Sequence, residues 1–447
     1  MDPIALIPQF SSFFWIILAF VVALSVIVAV HEYGHYIVGR WSGIKADVFS
    51  LGFGPVLYSR TDRHGTKWQF AALPFGGYVK FAGDANAASG KDEEAMAGLS
   101  AEEARHTMHG APLWARAATV LAGPVFNFAL SILVFAGVIA FNGVVEEPLT
   151  VGELRPTPVE TTLAPGDIIR EIQGIPMPGP DATETGSDYY ALLPVTPVTS
   201  YTVTRDGQTV EATGPNPLPP IVLQLSPQSA ALAAGLKAGD VITAIEGTPV
   251  YAFSELKEAV ESSNGAPLNL TVWREGSTFE TTLTPRRVDE PQADNTFVTQ
   301  WRIGIAGGLF FEPQTSFPGV GTALSNGVEQ TWRIITGSIS GLGHMITGAI
   351  SSCNLSGPIG IAQTSGAMAS QGAESFIWFI AVLSTAVGLL NLFPIPMLDG
   401  GHLTFYAYEA VTGRPPNDRA MRLLMSIGLT LILSLMTFAL FNDIFCP

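Results

Sequence analysis

Phe13-Phe14-Trp15-Ile16-Ile17-Leu18-Ala19-Phe20-Val21-Val22-Ala23-Leu24-Ser25-Val26-Ile27-Val28-Ala29-Val30 is an apolar run with no charged residue, and His31-Glu32-Tyr33-Gly34-His35 follows it directly. A helix through the run is long enough to cross the hydrocarbon core of a bilayer. The five residues after it form the HExxH pattern. Residues four apart share one helical face, so both imidazoles can reach a single Zn²⁺. Glu32 then lies beside the metal as general base, taking a proton from the water the metal activates. Two histidines snorkelling from a helix end towards the interface would be the bland alternative, and it requires neither Glu32 nor this spacing.

The chain has 447 residues, 47% hydrophobic and only 13% charged. That balance describes a polytopic membrane protein with a sizeable soluble portion. Stretches able to span occur at Phe13–Val38, Ala117–Phe141, Phe376–Leu392 and Leu423–Phe441. A fifth, Thr322–Ile350, carries Glu329, Arg333 and His344, and reads as an amphipathic helix at the interface. Arg40, Lys45, Arg60, Arg63, Lys67, Lys80, Lys91 and Arg105 crowd the link between the first two spans, while Met1–Ser12 and Asn442–Pro447 hold neither Lys nor Arg. The first link is therefore expected in the cytosol, and Arg414, Arg419 and Arg422 put the link between the third and fourth spans there too. Both ends and the region from about Asn142 to Gln371 then fall outside. That region is acidic and accounts for most of the net charge of −16, which argues against nucleic acid as a partner. The start lacks a positive n-region and a small-residue cleavage site, so the first span is expected to be retained rather than removed as a signal peptide. Cys353 and Cys446 both lie on the exterior side, either as a structural disulfide or as two separate thiols.

Between the second and third spans the sequence repeats itself. Leu163-Ala-Pro-Gly-Asp-Ile-Ile-Arg-Glu-Ile-Gln-Gly-Ile-Pro-Met177 recurs as Leu236-Lys-Ala-Gly-Asp-Val-Ile-Thr-Ala-Ile-Glu-Gly-Thr-Pro-Val250. An internal duplication is the simplest account. Each copy reads as a turn at Gly-Asp, a strand, a second turn and another strand; the second copy continues into a short helix over Phe253–Ser262 and a strand pair around Glu275-Gly276. Ser229–Val250, with its Ala-Gly-Leu-Lys-Ala-Gly-Asp core, resembles a PDZ domain of the bacterial periplasmic-protease type, and the earlier copy a degenerate one. PDZ modules bind extended peptides by strand addition. Steric filtering of substrates is the other role open to such a pair.

A catalytic zinc needs a third protein ligand from a segment at the same membrane depth. Asn391-Leu-Phe-Pro-Ile-Pro-Met-Leu-Asp399-Gly-Gly-His402 ends the third span on the same side as HExxH. Pro394 and Pro396 break the helix there, and irregular backbone at that depth is tolerated only against protein or a wet cavity. Asp399 and His402 are both candidate ligands. HExxH in a first span, Asn-x-x-Pro-x-Pro-x-Leu-Asp-Gly in a later one and PDZ domains between them resemble the site-2 protease family of intramembrane zinc metalloproteases. Ala122-Gly-Pro-Val-Phe-Asn127 matches that family's second-span motif, and Lys45–Tyr58 with Lys67–Phe81 resembles its membrane-associated β-hairpin, whose exposed edge could receive an unwound substrate.

The resemblance implies His31, His35 and Asp399 as zinc ligands, Glu32 as general base and Asn391 as a substrate-backbone contact. It also implies a single-span transmembrane substrate, such as a pre-trimmed anti-sigma factor or a remnant signal peptide. The expected fold is a polytopic α-helical membrane protein with four transmembrane helices, a membrane-associated β-hairpin and two inserted β-rich PDZ domains, in a bacterial inner membrane. The expected division is 1–141 for the N-terminal membrane core, 142–219 and 220–312 for the two PDZ copies, 313–372 for the interfacial segment and 373–447 for the C-terminal core. Two other classes compete. A silent PDZ scaffold has no need of three buried ligands, and a metal transporter needs a polar path that these spans lack.

Overall fold

The computed structural model describes residues 7–85, 92–179, 186–292 and 296–446. It divides into two compact units. One comprises the chain up to Val138, Val320–Gly348 and the chain from Ser352 onward; the other comprises Ile139–Gly319 with Ala349–Ser351.

In the first unit, helix α1 (Ile7–Trp41) leads into the antiparallel pair β1 (Ala46–Thr61) and β2 (Lys67–Phe81), followed by α2 (Leu113–Asn142). After the second unit come α3 (Val320–Thr347), α4 (Pro358–Ser370), α5 (Ala373–Asn391), α6 (Asp399–Thr412) and α7 (Asp418–Phe445). Among the described residues, α1, α2, α5 and α7 are long and apolar enough to cross a membrane. Their outward faces remain apolar, with Phe13, Trp15, Leu133, Ile377 and Leu431 all exposed, as expected where lipid replaces water as solvent.

Three details of this unit position the site. At Gly34 an added Cβ would lie 2.6 Å from the Ala122 carbonyl, so α1 and α2 meet almost backbone to backbone. The chain leaves α5 after Asn391, passes Pro394 and Pro396 without helix, and restarts as α6 at Asp399. Gly400 and Gly401 allow that restart, because a Cβ on either would meet the carbonyls of Leu392, Phe393 or Ile395 at 2.3 to 2.4 Å. The disulfide left open by the sequence is formed: Cys353 bonds Cys446. Beside it Asp443 caps the start of α4, accepting from the backbone N–H groups of Gly357, Ile359 and Gly360 at 2.7, 2.9 and 3.1 Å.

The second unit is built mainly of strands: β3 (Val144–Val145), β4 (Val151–Leu154), β5 (Ile168–Ile172), β6 (Ile175–Pro176), β7 (Thr199–Arg205), β8 (Gln208–Gly214), β9 (Gln224–Leu225), β10 (Val241–Ile245), β11 (Thr248–Pro249), β12 (Leu268–Arg274) and β13 (Ser277–Leu283) come first. After them come β14 (Arg286–Pro291), β15 (Phe297–Arg302), β16 (Ile305–Ala306), β17 (Phe311–Pro313) and β18 (Thr315–Ser316). The duplication reappears as two four-stranded sheets of one topology, β6-β5-β7-β8 and β11-β10-β12-β13. Equivalent side chains close equivalent turns. Asp167 accepts from Arg205 at 2.7 Å and from the Ala164 N–H at 2.8 Å; Asp240 accepts from Arg274 at 2.6 Å and from the Lys237 N–H at 2.8 Å. Burial opposes ionisation of Asp167, yet the Arg205 and Ala164 bonds outweigh it and hold its carboxyl below the usual range.

The copies are nested rather than sequential. β16 pairs with β9 inside the second copy, while β17 returns to pair with β4 of the first. Phe310 and Phe311, both fully buried, complete the first core together with Val151, Ile172, Tyr201 and Val203. The boundary at 219/220 therefore does not close the first copy, and Leu309–Pro313 packs with it rather than with the second. Sequence could not signal this, because β4 and β17 pair across the whole inserted copy. β3 and β18 then pair, so the second unit begins and ends at adjacent points.

Nesting predicts unequal independence. Removing two buried phenylalanines costs about 3–5 kcal/mol each, comparable to the whole stability of a small domain. A fragment spanning 218–307 should unfold cooperatively on its own, and a fragment spanning 144–217 should not until 309–316 is joined to it. Thermal unfolding followed by circular dichroism checks this; cooperative melting of 144–217 alone would contradict the nested core.

Candidate active site

α1 contributes His31, Glu32 and His35. The two imidazoles stack edge to face, centroids 4.7 Å apart, with their Nε2 atoms 3.1 Å apart. Asp399, the first residue of α6, places Oδ2 at 3.2 Å from His31 Nε2 and 3.5 Å from His35 Nε2. These are the residues, among those described, whose donor atoms cluster closely enough to hold a metal ion, and His402 is not part of the group.

The outer nitrogens determine what the inner ones can do. His35 Nδ1 lies 2.8 Å from the Thr119 carbonyl oxygen, which can only accept, so Nδ1 carries a proton and the neutral ring presents its lone pair at Nε2. The Asn127 amide lies 3.2 Å from His31 Nδ1, and its buried Oδ1 has no other partner. With that oxygen turned to accept from His31 Nδ1–H, the orphan is satisfied and a second Nε2 lone pair faces inward. Asp399 Oδ2 is also buried without a hydrogen-bond donor. With both imidazoles neutral, three lone pairs thus converge on one point, an arrangement that a cation at the focus stabilises. The edge of a zinc tetrahedron with bonds of about 2.0–2.1 Å is about 3.3 Å. The observed separations of 3.1, 3.2 and 3.5 Å bracket it, so this donor set fits zinc.

α2 forms the wall of the site. A Cβ on Gly123 would fall 2.4 Å from His35 Nε2 and 2.7 Å from His31 Cε1, so only glycine leaves the imidazoles room. Ser384 of α5 donates to the Asn127 carbonyl at 2.9 Å and Ser131 of α2 donates to the Ala381 carbonyl at 2.8 Å, tying α5 to α2 beside the cluster. Asn391 is the last residue of α5 and half-buried. β2 crosses α1 at Glu32: a Cβ on Gly77 would lie 3.1 Å from Glu32 Cγ and 2.9 Å from Val28 Cγ1.

The structure thus brings His31, His35 and Asp399 together, with Glu32 next to them in sequence. It adds Thr119, Gly123 and Asn127, which sequence reasoning did not assign to the site. The only available signal was the Gly-Pro-x-x-Asn spacing of Gly123 and Asn127, which also reads as a packing kink.

Gly123→Val should therefore weaken zinc retention at least tenfold, whereas Gly137→Ala on the same helix, where a Cβ meets nothing within 4 Å, should leave it unchanged. Zinc content after dialysis against a graded chelator series checks this; equal retention in both variants would contradict the cradle.

The chain matches the sequence profile of peptidase family M50 over residues 19–435. A protein of Agrobacterium fabrum named "Putative zinc metalloprotease" is 36% identical over 432 residues, covering 96% of this chain and 95% of that one. The "Regulator of sigma-E protease RseP" of Salmonella typhimurium is 33% identical over 471 residues, covering 97% and 99%. A match across nearly the whole chain, at this identity to proteins named as a zinc metalloprotease and as a protease, means that the chain belongs to peptidase family M50 and is a zinc metalloprotease carried on membrane helices.

Proposed function

We propose that the protein cleaves a peptide bond within or beside the transmembrane helix of a single-span membrane protein, with zinc held by His31, His35 and Asp399. The observation that carries this reading is the approach of Asp399 Oδ2 to both imidazole Nε2 atoms, at 3.2 and 3.5 Å. Bound zinc supplies Lewis-acid polarisation of the scissile carbonyl and makes the attacking water more acidic. Glu32 takes the proton from that water, holds it on its carboxylate and returns it to the leaving amine. Thr119 and Asn127 keep the imidazoles in the ligating tautomer and orientation. Asn391 holds the substrate main chain, and β2, which passes beside Glu32, offers an edge along which an unwound substrate helix can extend.

The two related sheets are read as PDZ domains, supported by their shared strand order and matching Gly-Asp turns. Lys and Arg in the links favour an inner-membrane protein with the β-rich unit in the periplasm and the zinc site towards the cytosol. The name of the Salmonella relative favours an anti-sigma factor, already shortened outside the membrane, as substrate, with remnant signal peptides second.

Glu32→Gln should lower cleavage of a single-span substrate at least a hundredfold while keeping stoichiometric zinc, because the residue handles protons and does not ligate. Asp399→Asn should lose both zinc and activity, and His402→Ala should keep zinc. Full zinc in Asp399→Asn with loss in His402→Ala would reverse the ligand assignment.

The periplasmic unit is proposed to exclude substrates that still carry bulky exterior domains. Because β3 and β18 pair, residues 146–314 can be replaced by a short Gly/Ser linker without separating the flanking chain. The linker variant should cut long and trimmed substrates alike, where wild type cuts only the trimmed one. Continued rejection of the long substrate would eliminate the filter, and selective loss of trimmed-substrate cleavage would favour peptide capture by the PDZ pair instead.

A further inference from the structure

Helix α6 carries Asp399 at its first turn and is only 14 residues long, bounded by the two-proline loop before it and by Gly413 in a left-handed conformation after it. An ion pair ties down its far end, where Tyr406 also packs against a buried apolar cluster. Arg116, in the first turn of α2, donates from Nη1 to Glu409 Oε2 at 3.0 Å and from Nη2 to Glu409 Oε1 at 2.6 Å. The third arm of the fork is also used, since Nε donates to the Ala111 carbonyl at 3.1 Å. The Tyr406 ring, one turn before Glu409, lies 5.2 Å from the guanidinium carbon. Both side chains are largely buried, at 14% and 18% exposed.

A two-pronged guanidinium–carboxylate bond is directional: it fixes both the distance and the rotation of the helices that carry it. Glu409 lies ten residues beyond Asp399, about 15 Å along the helix. α2 is also the helix that holds His35 through Thr119, faces His31 with Asn127 and leaves space for both at Gly123. One helix therefore sets two ligands directly and grips the element bearing the third. Burying an ion pair to bind two helices is a poor route to stability, because apolar side chains of the same volume serve as well without desolvating charge. Its directionality is what apolar packing would not supply.

We propose that Arg116 and Glu409 are positioning residues for the metal centre: their clamp between α2 and α6 sets where Asp399 meets the two histidines. This rests on the ligand assignment proposed above.

The test uses full-length protein in lipid nanodiscs, with zinc dissociation constants from chelator competition and the visible absorption of the Co²⁺-substituted protein. Arg116→Lys keeps the charge but loses the fork, and Glu409→Gln keeps the shape but loses the charge. Each should raise the zinc dissociation constant at least tenfold and shift the Co²⁺ bands, with thermal midpoint and helix content as controls for the fold. The double variant should be no worse than the poorer single one, since the pair acts as a unit. Wild-type zinc affinity and unshifted Co²⁺ bands in both singles, alongside metal loss in Asp399→Asn, would overturn the clamp. Independent, additive losses would overturn it as well. Retention of metal by Asp399→Asn would instead remove the ligand reading beneath it.

Discussion

Three lone pairs aimed at one point inside an apolar helix bundle are the constraint on which the rest of this structure depends. His31 Nε2, His35 Nε2 and Asp399 Oδ2 lie 3.1 to 3.5 Å apart, and hydrogen bonding at Nδ1 on the far side of the rings turns the Nε2 lone pairs of the neutral imidazoles inward. In water such a group would simply hydrate. Within a bundle whose outer surface faces lipid it needs a cation, and the surrounding elements can be understood as what brings these donors together and keeps them fixed. Gly34 lets α1 and α2 approach, Gly123 leaves space for the rings, and Gly400 and Gly401 let α6 begin directly on the carbonyls of the proline loop.

α2 has the central part in that arrangement although it contributes none of the three donors. It accepts from His35 through the Thr119 carbonyl, faces His31 with Asn127 and receives a hydrogen bond from Ser384 of α5 on the Asn127 carbonyl. A catalytic metal depends on such outer contacts for tautomer and orientation as much as on the ligands themselves. Hydrolysis at membrane depth adds the problem of exposing a helical peptide bond. β2, lying against Glu32 through Gly77, places an extended strand beside the proposed proton carrier. The β-rich unit, by contrast, is entered and left at the β3–β18 pair and has cores of its own.

What could be read in the sequence was local. The i, i+4 spacing of His31 and His35 is a property of any helix, the spans follow from unbroken apolar runs, and the strand pair at 46–81 follows from residues that avoid helix. Asp399 was readable only through its motif, since a loop with two prolines does not reveal where its last residue will point. Thr119 was not readable as a site residue, and Asn127 only as the end of a motif, because the rotation of α2 against α1 depends on packing at Gly34 and Ala122. The nested second copy and the Cys353–Cys446 bond were hidden for a related reason: both join chain segments separated by other folded elements, and no local propensity records such a pairing.

The claim that these three donors hold zinc is tested most directly by zinc K-edge X-ray absorption on the full-length protein in nanodiscs. The account predicts one zinc per chain in four-coordinate nitrogen and oxygen surroundings, with the outer-shell scattering of two imidazoles and a carboxylate oxygen, and loss of one light-atom ligand or of the metal in Asp399→Asn. Sulfur in the first shell, fewer than two imidazoles, or an unchanged spectrum in Asp399→Asn would contradict it.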